Sequence, residues 1–217
     1  MIREANLGQV DFAAMREAMV LSQLRTSDVT DAAVIAAMSS VPREDFLPED
    51  RRASAYIDRP VPLGNGRSIN PPLATGRLLT IADIGEGDKV LLLGDATGYS
   101  AALLDTMGVD VTVVSEDERP EALQEGVAWV QGKGAEGYAA GAPYDAIVID
   151  GVVPEFPAAL TAQLPEGGHV ALGLVERGVT RLVSGRKVND VIGFVSLADM
   201  EMAEVPGFEV KRPEFQF

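Results

Sequence analysis

The residues best suited to chemistry sit in one short stretch, Val90-Leu91-Leu92-Leu93-Gly94-Asp95-Ala96-Thr97-Gly98-Tyr99. Four consecutive apolar residues predict a strand buried on both faces. It runs into a glycine turn, and a helix follows at once. Glycine lets the backbone pass close to a ligand, and a helix N-terminus presents N–H groups without intrahelical partners. Glu116 and Asp117 belong to an acidic cluster after the next strand. Glu116 follows Gly94 by 22 positions, where a carboxylate can accept hydrogen bonds from ribose hydroxyls. The turn departs from G-x-G-x-x-G because Ala96 stands at the second glycine. No arginine is at hand for a pyrophosphate. The pattern favours a nucleoside ligand without phosphates, and S-adenosylmethionine is such a ligand. The plain alternative is a tight strand–helix turn that binds nothing.

Composition narrows the chemistry further. The 217 residues carry 18 Lys plus Arg against 33 Asp plus Glu, a net charge of −15. That balance argues against nucleic acid, whose phosphates need clustered cations, and against an anionic membrane surface. There is no cysteine and one histidine, His169, so a thiolate metal site and a multi-histidine metal site are excluded. His169 starts a predicted strand and reads as structural or exposed. Asp150 falls at the carboxyl end of an apolar run, where ligand sites form in parallel sheets. Arg67 lies in a Pro/Gly-rich loop, where a guanidinium can clamp a carboxylate bidentately or simply be solvated. Trp129 reads as core packing rather than a stacking platform. No apolar run is long enough to span a bilayer, and a soluble, cytoplasmic protein is expected.

These residues need elements to place them. Residues 10–47 read as helical, with Phe12, Met15 and Met19 at helical spacing. Thr30 or Asp31 caps a second helix that ends at Val41-Pro42. Residues 48–72 alternate proline and glycine and form neither a regular helix nor a central strand. They are either a connector or a shaped loop over a site. A helix opens at Pro72 and ends near Gly85. Strands then alternate with helices: Val90–Leu93, a helix over 100–107, Val111–Val114, a weak strand at 127–130, Ala146–Ile149, a helix over 154–164, and Val170–Leu174. Shorter β-like pieces follow near 181–184, 194–197 and 208–217. The pattern predicts an α/β fold, a mostly parallel central sheet with helices on both faces. Residues 1–84 form helices and a loop packed on a Rossmann-like core, 85–217, in one compact unit.

Several segments in fixed order carry a resemblance: REAMVLSQL at 16–24, AMSSVPREDF at 37–46, AYIDRPVPLGNG at 55–66, RSINPP at 67–72, the turn and helix at 94–104, and Tyr144–Leu164 followed by Gly167-Gly168. Together they resemble the protein-L-isoaspartate O-methyltransferases, from about Arg16 to about Leu197. The resemblance implies a class I methyltransferase fold, S-adenosylmethionine as cofactor, and isoaspartyl residues in damaged proteins or peptides as substrate. The methyl ester then collapses to a succinimide, which allows return to normal aspartate. It implies Gly94, Asp95, Gly98, Tyr99, Glu116 and Asp117 as cofactor-binding residues. Ser68 and Asn70 fall at the catalytic positions, and Arg67, Ile69 and Asp150 on the substrate side. The nucleophile in such chemistry is a carboxylate, ionised at neutral pH, so no general base is required.

The sequence also departs from the family pattern. Asn70 stands for the usual serine, Ser68 for the usual threonine, and Leu92 for the usual acid in the first strand. Ala96 replaces the second glycine, Gly132-Lys133-Gly134 replaces Gly-Asp-Gly, and Asp150 replaces a threonine. Two rival readings follow. One is a degenerate member that binds cofactor weakly or not at all and serves as a binding or assembly module. The other is a methyltransferase for a different substrate.

Overall fold

The computed structural model describes residues 10–208. The β-like piece expected at 208–217 lies outside them, apart from Phe208. The N-terminal layer begins with α1, Phe12–Met19, capped by the Asp11 carboxylate, which accepts from the Ala14 N–H at 3.0 Å. A wider π-type turn, Val20–Leu24, extends it. Asp31 caps α2, Ala32–Ser40, accepting from Ala33 and Val34 at 2.8 and 2.9 Å. Val41, pushed into extended geometry by Pro42, ends it.

The Pro/Gly stretch contains an isolated antiparallel ribbon, β1 (Val61–Gly64) and β2 (Arg67–Ile69). Asn65 and Gly66 close it with φ of 51° and 74°. Positive φ at both central residues is the requirement of the tight two-residue hairpin turn, which Asn-Gly satisfies. Helix α3, Pro72–Ile81, starts with proline in its first turn, where a missing N–H costs nothing.

The main sheet has seven strands in the order β5-β4-β3-β6-β7-β8-β9. These are β3 Lys89–Leu93, β4 Asp110–Ser115, β5 Ala128–Gln131, β6 Ala146–Val153, β7 His169–Glu176, β8 Val179–Val188 and β9 Val191–Asp199. Pairings from β5 through β7 are parallel, and β7-β8-β9 is an antiparallel meander. The chain leaves β3 toward β4 and returns on its other side as β6. That reversal opens a crevice at the carboxyl ends of the strands.

Alternation along the strands feeds two cores. Val90, Leu92, Val113 and Val148 face a thick helical layer that includes α4, Tyr99–Thr106. Leu91, Leu93, Ile147 and Ile149 face a thinner cover built from Tyr144, Leu160, Leu164 and Phe208. Among the described residues its α-helical part is α5, Ala158–Thr161, in place of the expected helix over 154–164. Pro157 holds an extended conformation as its cap, and the residue before a proline avoids helical geometry. Between β4 and β5 the chain is a turn-rich loop, tied by Arg119, whose guanidinium donates to the Val127 carbonyl at 2.6 Å.

Candidate functional site

The turn after β3 folds around a carboxylate. Asp95 accepts from the N–H groups of Gly98 and Ala101, both at 2.8 Å, and of Thr97 at 3.2 Å. Several of the donors expected to meet a ligand at the start of α4 are thus already engaged. Gly94 and Gly98 have φ of 76° and 85°, values that side chains rarely tolerate. Burial, then the neighbouring charge of Asp150, pushes the Asp95 carboxyl up to about 6, against the pull of its three backbone donors.

Asp150 reaches the crevice through an irregularity. The register of β6 on β7 slips between Val148 and Val152, the kind of bulge that re-aims a side chain beside a site. Its carboxylate accepts from Ser100 Oγ at 2.6 Å and Asn70 Nδ2 at 2.7 Å. Burial raises its pKa, while these bonds and the Arg43 charge act the other way. The Asn70 side-chain oxygen accepts from the Ala203 N–H at 2.7 Å.

The structure brings seven of the predicted residues to one crevice. Gly94 and Asp95 of the turn, Glu116 and Asp117 of the acidic loop, Arg67 and Ser68 of the hairpin lip, and Asp150 all line it. Arg67 is joined across the crevice to Asp117. The other four stand behind the walls. Gly98 abuts the side chain of Pro120. Ile69 is buried opposite Val61 in the hairpin, and Asn70 is buried between Asp150 and Ala203.

Tyr99 points into the core, 1 % exposed, with the Arg43 guanidinium 4.7 Å over its ring and Phe46 edge-on at 5.7 Å. Burial pushes its hydroxyl up to about 12. Trp129 packs against the helical core and donates from Nε1 to the Asp117 carbonyl at 3.0 Å, shaping the acidic loop. His169 begins β7 at the opposite end of the sheet.

Three contributors escaped the sequence reading. Arg43, fully buried, donates to the carbonyls of Ala55, at 2.7 Å, and of Asn70. Its only signal was a charged residue directly after Val41-Pro42 in a helical stretch. Ser100 anchors Asp150. The third is the segment after β9, which turns back over the crevice. Ala203 and Val205 bridge to Val152, with Val152 N–H donating to Ala203 at 2.8 Å and Val205 N–H to Val152 at 3.0 Å. Glu204, Val205, Pro206 and Phe208 then line the crevice from above. Nothing in the residue pattern of 200–208 announced a long-range partner.

The comparisons agree with this geometry. The family model for protein-L-isoaspartate(D-aspartate) O-methyltransferase (PCMT) matches residues 15–202. Protein-L-isoaspartate O-methyltransferase 1 of Rhodopseudomonas palustris (strain HaA2) is 36 % identical over 209 residues, covering 91 % of this chain and 85 % of the relative. The Methanoculleus marisnigri enzyme of the same name is 37 % identical over 177 residues, covering 77 % and 80 %. A solved protein-L-isoaspartate O-methyltransferase superposes with a TM-score of 0.74 at 21 % identity, over 86 % of this chain and 64 % of that one. A Plasmodium falciparum protein assigned to the same enzyme class, solved with S-adenosyl-L-homocysteine, gives 0.68 at 19 % identity, over 91 % and 99 %. At those identities the two structures speak for the fold, a class I methyltransferase sheet. With the family model spanning most of its length, the chain belongs to the protein-L-isoaspartate(D-aspartate) O-methyltransferase family.

Proposed function

We propose that this protein is an S-adenosylmethionine-dependent carboxyl methyltransferase acting on isoaspartyl residues in proteins or peptides. The observation that carries the reading is the crevice itself. A glycine turn with two left-handed residues, a hairpin lip bearing Ser68, Glu116 and Asp150 line one crevice. The chemistry of the donors fits the cofactor. Glu116 and Asp117 supply acceptors for ribose hydroxyls, and Asp95 offers a carboxylate beside the turn where a cationic amino-acid tail would sit. When bound, the cofactor supplies an electrophilic methyl group on a sulfonium.

The chain's own part is placement. Ser68 offers a hydroxyl to the acceptor carboxylate from the hairpin lip. Ile69 and Asn70 fix that lip from behind. Gly98 and Tyr99 set the turn that presents Gly94. Arg67 ties the lip to the acidic loop and draws the two sides of the crevice together. A carboxylate acceptor arrives ionised, so positioning and exclusion of water do the work that a base does elsewhere. The same reading carries a cytoplasmic setting and no nucleic-acid partner, in keeping with the charge of −15. Among the described residues no helix is long and apolar enough to cross a membrane.

Calorimetry with S-adenosylhomocysteine, followed by methyl transfer to an isoaspartyl peptide and its aspartyl twin, tests the proposal. Heat of binding and methylation of the isoaspartyl peptide alone are expected. Binding without methylation of either peptide would assign the fold to another substrate. No heat at millimolar ligand would mark a degenerate member.

A further inference from the structure

The segment after β9 lies against the glycine turn and lines the crevice. A Cβ built on Gly94 would lie 2.9 Å from both methyls of Val205, and one on Gly134 would lie 3.0 Å from the Phe208 ring. What stays open is a cavity of about 150 Å³, while clefts that hold small ligands start at roughly 300 Å³. The strap Ala203–Phe208 therefore fills part of the crevice.

What holds the strap there is specific. Its two backbone bonds to Val152 fix one edge. Phe208 is buried at its far end, and a further attachment is the Asn70 side chain, whose oxygen takes the Ala203 N–H at 2.7 Å while its Nδ2 donates to Asp150 at 2.7 Å. Asn70 is itself 1 % exposed, and its backbone carbonyl is held by buried Arg43. Every polar group on its side chain that these bonds engage points at protein: one to the strap, one to Asp150. An amide is suited to this, because one side chain carries an acceptor and a donor at fixed separation, whereas a serine hydroxyl has one donor proton and no such span.

We infer that Asn70 is a positioning residue that latches the strap Ala203–Phe208 across the crevice and so sets cofactor affinity, without touching the acceptor. The inference rests on the methyltransferase reading for its consequence, and on geometry alone for the latch. A strap that must yield before ligand enters lowers apparent affinity by the fraction of time the crevice is closed. Weakening the latch, or trimming the strap, removes part of that penalty.

Backbone amide exchange on the ligand-free protein reads the latch directly. In Asn70→Ala the Ala203 amide exchanges at least about tenfold faster than in the unaltered protein, while amides of β3 keep their rates. Val205→Ala leaves the latch in place and trims the half-buried side chain that meets Gly94, so it serves even where the Asn70 variant fails to fold. Both variants bind S-adenosylhomocysteine at least about threefold tighter. Unaltered Ala203 exchange in Asn70→Ala, or unchanged or weaker binding by Val205→Ala, would each overturn the inference. If the unaltered protein takes up no S-adenosylhomocysteine, the methyltransferase reading fails on its own. The exchange measurement uses no ligand and still decides the latch.

Discussion

The two walls of the crevice are built on opposite principles. The inner wall, the turn 94–99 with Asp150 behind it, is buried and knitted by short hydrogen bonds to Asp95, Ser100 and Asn70. The outer wall, the hairpin β1-β2, is a two-stranded ribbon whose tip is exposed and whose link across the crevice is one ion pair, Arg67 with Asp117. A lone hairpin is marginally stable by itself. The inner wall is thus preset by folding, whereas the outer wall is held by a contact that salt and substitution can loosen. A site divided this way has a rigid turn and an adjustable lip.

The largest break in that contrast comes from Gly94→Val. A branched side chain at φ 76° collides with Val205 and fills part of the crevice, so no heat with S-adenosylhomocysteine is expected up to millimolar concentration. Unchanged affinity would place the site elsewhere. Next comes Asp95→Ala, which strips three buried N–H groups of their acceptor. A loss on the order of 2–4 kcal/mol in urea unfolding is expected. A loss under about 0.5 kcal/mol would show that the turn does not depend on that carboxylate.

Acidity sharpens the comparison. The Asp95 pKa rises from 3.8 to about 6 on folding, so the folded state binds more protons than the unfolded state between those values. Stability owed to this group is therefore full below about 4 and declines as pH rises toward about 6. Urea midpoints of the unaltered protein relative to Asp95→Asn should fall across that window and level off above it. A difference independent of pH would contradict the raised value. The smallest effect belongs to the outer wall. Arg67→Ala should cost less than about 1 kcal/mol, because half-exposed ion pairs contribute little. Yet it should speed amide exchange in residues 61–69 and weaken the salt dependence of peptide KM. A large stability loss would mean that the hairpin is as firmly built as the turn.

How far the sequence foretold this depends on the range of the interaction. The strand at 90–93, the glycine turn and the acidic loop were legible, because apolar runs and positive-φ residues announce themselves locally. Asp31 and Pro72 marked helix starts for the same reason. Tyr99 was harder. Its place in the motif suggested the ligand, but its side chain takes the core side of α4, under Arg43. The hairpin carried its signal in Asn65-Gly66, yet the surrounding prolines obscured the short strands. Least legible was the strap. Ala203 meets Asn70 across 133 positions of sequence, and no periodicity records such a pairing. The bulge that turns Asp150 inward is likewise a product of sheet register, not of its own residue type.

The Asn65-Gly66 turn ties this protein's ageing to its chemistry. Both residues are exposed, and glycine offers no side chain to hinder attack of its backbone nitrogen on the asparagine amide carbon. That attack expels ammonia and forms a cyclic imide. Water reopens the ring to aspartate or to a linkage running through the side chain. This is the lesion for which the family is named, and peptide mapping of old against fresh protein is expected to register it at Asn65.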